Sequence, residues 1–286
     1  MGRSIKQTGI RSAAIVAAVV LCTSASAQDK KLTVEELIAH HLDSIGSAQA
    51  RGSVKNRLVT GPVKLISRVG TASNIDGQAA MASSGAKLRY SMRFASPQYT
   101  GEQIAFDGSK VLTGHLPNGQ RSPLSLYLEQ QSLPLRDGLL GGSLSTGWAM
   151  LRLDQLKPRL DYKGSKKIDG KQLHEVTYRA VKGSPDLKVS LFFDAANFQH
   201  VRTEYEFKVP ARLGAGPNES TRFQEDYYKL TEDFDDFRAV DGLMIPRKYK
   251  IQLQLQTSTG SNLFDWNVAI EQVLHNQALD DQIFSK

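Results

Sequence analysis

The stretch KYKIQLQLQ at residues 248–256 decides the fold class, because apolar and polar residues alternate along it. In a β-strand, Tyr249, Ile251 and Leu253 would share one face, and the lysine and glutamine side chains the other. The same alternation recurs at residues 87–94, 188–193, 201–209 and 264–271. Strands with one polar face exclude a parallel sheet covered on both faces, whose strands are continuously apolar. We therefore predict a mainly β, α+β fold built on antiparallel strands.

Turn sequences separate the strand-like runs. Asp-Gly or Thr-Gly pairs, which are typical of hairpins, stand at residues 107–108, 169–170, 241–242 and 259–260. Further strand-like runs lie near residues 58–69, 78–83 and 227–237. Together these runs predict about ten antiparallel strands in a meander. The glycine-containing stretch at residues 213–218 is predicted to be a long hairpin loop.

The first 27 residues are predicted to be a signal peptide. Basic residues precede an apolar run at residues 13–22, and Ala-Ser-Ala at residues 25–27 offers a cleavage site. The run is shorter than the about 20 apolar residues needed to span a bilayer. Cleavage would leave residues 28–286 as a single periplasmic domain without cysteine. Lipidation of Cys22, the only cysteine, stays open as an alternative.

The composition is that of an ordinary globular protein. Hydrophobic residues make up 40% of the chain and charged residues 23%, which excludes a disordered, fibrous or polytopic membrane protein. The formal net charge is +7, and basic residues are interspersed with acidic ones. We expect no nucleic-acid partner, whereas transient contact with a membrane surface or an envelope protein is compatible with this charge.

One helix is predicted at the start of the mature chain. Thr33 and Glu36 have the spacing of a capping box, and apolar residues then recur every three or four positions up to Gly46. Because only one face of this helix is apolar, it should pack on another apolar surface.

Residues 122–153 interrupt the strand pattern. They are rich in leucine and predict one or two short helices, interrupted by Gly141-Gly142 and by Gly147. This segment can form a flap over a cavity or fill the core, and the sequence leaves both interpretations open.

The width of the sheet predicts that it curls. Ten strands about 4.8 Å apart would span about 48 Å, whereas a helix of about 13 residues is only about 20 Å long. Two or three helices cannot cover such a sheet, so we predict an open or half β-barrel with helices inside it or across its mouth. A barrel that its helices do not fill leaves an apolar cavity for a hydrophobic ligand.

Catalytic patterns are mostly absent from the sequence. The six histidines lack metal-ligand spacing, and GGSLS at residues 141–145 lacks the second glycine of a nucleophile elbow. Asp233, Asp235 and Asp236 lack the glycine and glutamate of a calcium loop, and are typical of a solvated strand face. We therefore expect no catalytic residue, no metal and no cofactor.

Three segments resemble one protein family. FDDFRAVDGLMIP at residues 234–246 is similar to the strand-turn-strand motif of outer-membrane lipoprotein-sorting proteins, the LolA/LolB-like superfamily. Residues 32–46 resemble the family's first helix, and residues 276–284 its closing segment. The resemblance implies an unclosed antiparallel barrel with lid helices, whose concave face receives acyl chains of lipoproteins or lipids. Family members include carriers, membrane-tethered acceptors and envelope sensors, so the fold alone does not determine the task.

We therefore expect a periplasmic binding protein that shields acyl chains in an apolar half-barrel cavity, with lipoprotein sorting to the outer membrane as the task that the resemblance favours. The predicted lining residues are Leu88, Tyr90, Met92, Phe94, Leu191, Phe193, Tyr205, Phe207, Ile251, Leu253, Trp266 and Val268 from strands, and Leu139, Leu140, Trp148 and Leu151 from the middle segment. One alternative is an envelope sensor or protein-interaction module. A less favoured alternative is a hydrolase that uses Tyr90, or His174 or His200 with Asp194.

Overall fold

Thirteen strands form one antiparallel sheet in the computed structural model, which describes residues 1–2, 32–69, 71–183, 185–209, 225–257 and 260–285. Nearly all of the predicted signal peptide, Cys22 and the loop at residues 213–218 lie outside these described residues. The unit that contains the sheet runs Thr33–Lys286. The domain boundary after residue 27 stays a prediction.

The described strands are β1 (Asn56–Val69), β2 (Thr71–Ser84), β3 (Lys87–Phe94), β4 (Gly101–Phe106), β5 (Val111–Thr113), β6 (Arg159–Ile168), β7 (Lys171–Arg179), β8 (Lys188–Asp194), β9 (His200–Val209), β10 (Asp226–Val240), β11 (Leu243–Thr257), β12 (Gly260–Ala269) and β13 (Gln272–His275). The helices are α1 (Val34–Ile45), α2 (Ala48–Ser53), α3 (Pro123–Gln130), α4 (Leu133–Arg136) and α5 (Leu153–Leu156), with 3₁₀ turns at Gly142–Leu144, Ala149–Leu151 and Asp281–Phe284.

The strand order is β5-β4-β3-β2-β1-β12-β11-β10-β9-β8-β7-β6, and β13 pairs with β1. Two meanders, β1 to β5 and β6 to β12, are therefore joined where β1 pairs with β12, for example at Leu65 opposite Trp266. The predicted fold class, a mainly β open antiparallel sheet, is confirmed. The structure has more strands than the about ten predicted, because β5 and β13 are too short to show an alternating pattern.

The sheet curls strongly, as its width predicts. Tyr90 on β3 and Tyr249 on β11 are separated by three intervening strands, which would hold them roughly 19 Å apart in a flat sheet. Their ring centroids are only 6.2 Å apart. Trp266 on β12 likewise donates a 3.0 Å hydrogen bond to the hydroxyl of Tyr99, just before β4. These contacts across the concave side show that the apolar face is turned inward.

The middle of the chain crosses this concave face. Strand β5 is one edge of the sheet and β6 is the other, so residues 114–158, here called the crossing segment, must pass from one edge to the other. The segment contains α3 to α5 and two 3₁₀ turns, more and shorter helical pieces than predicted. It buries Leu124, Leu128, Leu139, Leu140, Leu144, Trp148 and Met150.

The predicted first helix is confirmed as α1. The backbone N–H of Glu36 donates to the Thr33 hydroxyl at 3.2 Å, and the Glu36 carboxylate accepts from the Thr33 N–H at 3.0 Å. The helix ends at Ile45, and Gly46, with a φ of +147°, is its C-cap. Gly46 forms a β-bridge with Leu243, the first residue of β11, and an added Cβ would lie 2.5 Å from the Gly242 carbonyl. The buried face of α1 includes Leu37, Ile38 and His41.

Candidate acyl-chain site

With one exception, the predicted lining residues are buried, on the inward face of the sheet or on the crossing segment in front of it. Leu151 is 40% exposed and lines a small separate cavity with Arg51 and Val54, so it does not lie in the interior. The remaining predicted lining residues are buried: Leu88, Tyr90, Met92, Phe94, Leu139, Leu140, Trp148, Leu191, Phe193, Tyr205, Phe207, Ile251, Leu253, Trp266 and Val268. Strand register explains this arrangement, since Ile251 lies opposite Trp266 and Tyr205 lies opposite Val189.

The crossing segment fills the space in front of this face. Leu139 and Trp148 have no exposed surface. The cavity that touches Tyr90, Leu144 and Val268 has a volume of about 10 Å³, which is roughly the space for one water molecule. The expectation of an interior that the helices leave unfilled is therefore wrong for this part of the sheet, because the chain's own leucines occupy it.

Buried polar side chains hold the crossing segment to the sheet, and Glu232 on β10 is one of them. Its carboxylate accepts 2.7 Å hydrogen bonds from the Gly141 N–H and the Tyr205 hydroxyl, and another from the Tyr249 hydroxyl. Glu232 has no exposed surface. Burial raises the pKa of Glu232 to about 7, against the opposing effect of these hydrogen bonds.

Arg57 and Ser83 hold the next turn of the crossing segment. The Arg57 guanidinium donates to the carbonyls of Ser143 and, at 3.1 Å, Leu144. The Ser83 hydroxyl accepts from the Thr146 N–H at 3.0 Å. Burial lowers the pKa of Arg57 to about 10. Backbone groups that lack regular secondary structure are thereby satisfied inside the protein.

A histidine pair surrounds Trp148. The indole N–H donates to His41 Nε2 at 3.0 Å, and His41 Nδ1 donates to the Phe198 carbonyl at 3.0 Å. This pattern requires a neutral imidazole, in agreement with burial that lowers the pKa of His41 to about 4. His200 stacks on Trp148 at 4.6 Å and bonds through Nε2 to Thr203 at 2.8 Å.

Glu102 on β4 holds the start of α3. Its carboxylate accepts from the hydroxyls of Ser122 and, at 2.8 Å, Ser125, and also from the Tyr99 hydroxyl. Ser122 is the N-cap of α3 and accepts from the Ser125 N–H. Burial raises the pKa of Glu102, although these hydrogen bonds act in the opposite direction.

Sequence reasoning missed Arg57, Glu102 and Glu232. The two-residue alternation of the strands could have indicated these buried charged residues. Glu232 stands between Leu230 and Phe234 at two-residue spacing, so a carboxylate shares the apolar face of its strand. A charged side chain at such a position predicts a buried partner, but the sequence does not say which one.

A cavity of about 690 Å³ lies where the crossing segment meets β7 and β8. We call it the mouth cavity. It touches the inward face, because Val189 and Tyr178 belong both to that face and to the cavity wall. The lining residues are Leu133, Lys163, Thr177, Tyr178, Arg179, Ala180, Val181, Gly183, Pro185, Leu187, Lys188 and Val189.

The residues of the hydrolase alternative come together only in part. Tyr90 lies on β3, which five strands separate from His200 on β9. His174 and Asp194 lie on the paired strands β7 and β8, where burial, the larger effect, lowers the pKa of His174 and the Asp194 carboxylate acts to raise it. His174 bonds to the Tyr162 hydroxyl at 2.9 Å, and the Asp194 carboxylate accepts from the Ala196 N–H at 2.8 Å.

Neither a metal-binding cluster nor a membrane-spanning helix occurs among the residues that the structure describes. No cluster of three or more histidine, cysteine, aspartate or glutamate residues in this part of the chain has the geometry to hold a metal ion. The three aspartates of β10 for which the sequence predicts a solvated strand face each form an ion pair with a basic residue: Asp233 with Arg202, Asp235 with Lys171 and Asp236 with Arg238. No helix among the same residues is long and apolar enough to cross a membrane.

No family model and no curated protein matches the sequence. Similar solved structures include a LolA superfamily protein from Nitrosomonas europaea, with 15% identity, a TM-score of 0.44 and coverage of 89% of this chain and 98% of that chain. An outer-membrane lipoprotein-sorting protein domain from Vibrio parahaemolyticus has 9% identity, a TM-score of 0.45 and coverage of 88% and 97%. A DUF1329 family protein from Desulfovibrio piger has 8% identity, a TM-score of 0.41 and coverage of 88% and 96%. The superfamily that the sequence resembles is thus represented among the similar structures. The fold class is established by the antiparallel sheet of this chain itself.

Proposed function

We propose that this protein binds acyl chains of lipids or lipoproteins in the periplasm and shields them from water at the inward face of the curled sheet. The observation that carries the proposal is the mouth cavity, whose apolar wall continues into that face at Val189. Its volume of about 690 Å³ lies within the about 300–1,000 Å³ of ordinary small-molecule sites.

The hydrophobic effect supplies enough free energy for this task. Each buried methylene contributes about 0.8 kcal/mol, so an acyl chain of about 14 carbons gains about 11 kcal/mol before ordering costs. The mouth cavity receives the first part of the chain. The predicted lining residues deeper in the sheet, such as Leu253 and Trp266, contact the ligand only when the crossing segment moves aside.

The specific task that we propose is the carriage of lipoproteins toward the outer membrane. The sequence resemblance favours this task, and the fold is compatible with it. Binding needs no catalytic side chain, since burial of apolar surface drives it.

Titration of the exported protein with a fluorescent 16-carbon fatty acid tests acyl-chain binding. Val181 is 69% exposed, so a Val181→Asp variant should fold normally while it places a charge in the cavity wall. We expect its affinity to fall about tenfold, which corresponds to about 1.4 kcal/mol. Leu274→Asp, at another exposed apolar position, is the control. Failure of the unaltered protein to bind any acyl chain would refute the proposal.

A further inference from the structure

A second cavity adjoins the mouth cavity, and we call it the side cavity. It has a volume of about 360 Å³ and shares Val181 with the mouth cavity. Arg136, Lys157 and Lys182 line it, together with Asp137, Gln155 and Leu156. The mouth cavity adds Lys163, Arg179 and Lys188. The two cavities together therefore present six basic side chains and one acidic side chain.

The acidic side chain is already engaged. The Asp137 carboxylate accepts from the Tyr178 hydroxyl at 2.9 Å and from Arg136 Nε at 3.1 Å. Asp137 therefore compensates the charge of Arg136 and of none of the other five basic side chains. Lys188 has a distant partner, Glu206, at 3.8 Å. Among the described residues, no carboxylate lies within 4.0 Å of the charged nitrogens of Lys157, Lys163, Arg179 or Lys182.

The buried apolar side chains lie in the mouth cavity, where Leu133, Leu187 and Val189 are between 1% and 7% exposed. The side cavity adds the apolar side chains of Leu156 and Val181. Three basic side chains line each cavity, so the two cavities together combine an apolar wall with cationic groups. A ligand that matches both has a hydrocarbon part and an anionic head.

We propose that the two cavities bind one anionic phospholipid, with an acyl chain in the mouth cavity and the phosphate at Lys157 and Lys182. This inference rests on the proposed function and names its ligand class. Guanidinium and ammonium groups are the usual partners of phosphate oxygens. A free phosphate would use only the cations, and a flat membrane surface would reach only the outer lysines. A single lipid molecule uses both parts.

Calorimetric titration with monomeric short-chain lipids tests this proposal. Dihexanoyl phosphatidylglycerol carries a net negative charge, whereas dihexanoyl phosphatidylcholine has the same chains and no net charge. We expect the exported protein to bind phosphatidylglycerol at least about fivefold more tightly than phosphatidylcholine, with a preference that weakens as salt screens the charges.

The variant Lys157→Gln/Lys182→Gln should lose that preference and keep the affinity for phosphatidylcholine. Each lysine should contribute about two- to fivefold to phosphatidylglycerol affinity. Lys55→Gln/Lys110→Gln removes the same charge from two exposed lysines elsewhere, and this control should keep the preference.

Several results would overturn the inference. Equal affinity for the two lipids would refute the anionic headgroup site and leave acyl-chain binding intact. Absence of binding to both lipids would refute the proposed function as well. Glycerol phosphate that binds as tightly as phosphatidylglycerol would indicate a site for soluble anions. Binding to phosphatidylglycerol vesicles without binding to the monomer would indicate a membrane-docking surface instead.

Discussion

Glu232 on β10 accepts a 2.7 Å hydrogen bond from the backbone N–H of Gly141, which joins the inward face of the sheet to the segment that crosses it. Glycine is required here, since Gly141 and Gly142 have φ angles of +81° and +48°. A Cβ on Gly142 would lie 2.8 Å from Nδ1 of His200. The crossing segment is therefore held by a hydrogen bond at a tight turn, as well as by the burial of its leucine side chains.

The buried Glu232 makes stability depend on pH. Its folded-state pKa of about 7 lies above the ordinary value of 4.5, so the unfolded chain loses its proton first as pH rises. The contribution of Glu232 to the free energy of unfolding should therefore fall from pH 4.5 to about 7 and then level, by up to about 3 kcal/mol. The buried His41, whose pKa is lowered to about 4, acts in the opposite direction. The contribution of Glu232 is therefore measured by comparing the urea unfolding of wild type and a Glu232 variant, followed by tryptophan fluorescence, across this range.

Glu232→Gln should remove this contribution, so the difference in unfolding free energy between wild type and variant should vary with pH. Glu271→Gln, at an exposed carboxylate, is the matched control. A constant difference between wild type and Glu232→Gln from pH 4 to pH 8 would contradict the assignment.

Removal of Arg57 should loosen the crossing segment. Arg57→Ala leaves the buried carbonyls of Ser143 and Leu144 without their donor, at an expected cost of about 3 kcal/mol in unfolding free energy. Amide hydrogen exchange near residues 141–146 should accelerate more than exchange in β1. Lys64→Ala breaks an exposed pair with Asp76 and should cost less than about 1 kcal/mol. Similar exchange in both variants would count against the anchoring role.

A large side chain at Gly183 should block the mouth cavity. Gly183 is exposed, and a Cβ there would lie 3.4 Å from the Ala180 Cβ and 3.9 Å from a Leu133 methyl group. Gly183→Trp should therefore reduce acyl-chain affinity by at least about tenfold, because the indole takes the ligand's place. A Cβ at Gly52 meets no atom within 4 Å, so Gly52→Trp is the control. Unchanged affinity in folded Gly183→Trp would place the ligand elsewhere.

Leu253 should behave as a core residue when no ligand is bound. It has no exposed surface, so Leu253→Ala should lower the unfolding free energy by about 2–5 kcal/mol. Leu126 is 48% exposed, so Leu126→Ala should change the unfolding free energy by less than about 0.5 kcal/mol. Chemical denaturation compares the two variants. A small effect at Leu253 would mean that the crossing segment does not pack there in solution.

Local patterns determined the strands and their faces. The two-residue alternation around Ile251 and Leu253 predicts an inward and an outward side, because successive side chains of a strand point in opposite directions. Thr33 and Glu36 predict the start of α1 for a similarly local reason, since a capping box closes within four residues. The need for curling also followed from sequence, because it depends only on the number of strands and the amount of helix.

Only the tertiary structure shows which residues fill the concave side of the sheet and where a cavity remains. Pairing of β1 with β12 places β5 and β6 at opposite edges, and this pairing forces residues 114–158 across the concave face. The partners of Glu232 and Arg57 on that segment are about 90 residues away in sequence. The mouth cavity likewise joins Leu133 to Val189. Such contacts depend on strand pairing over long separations, and the local pattern of apolar and polar residues carries no information about them.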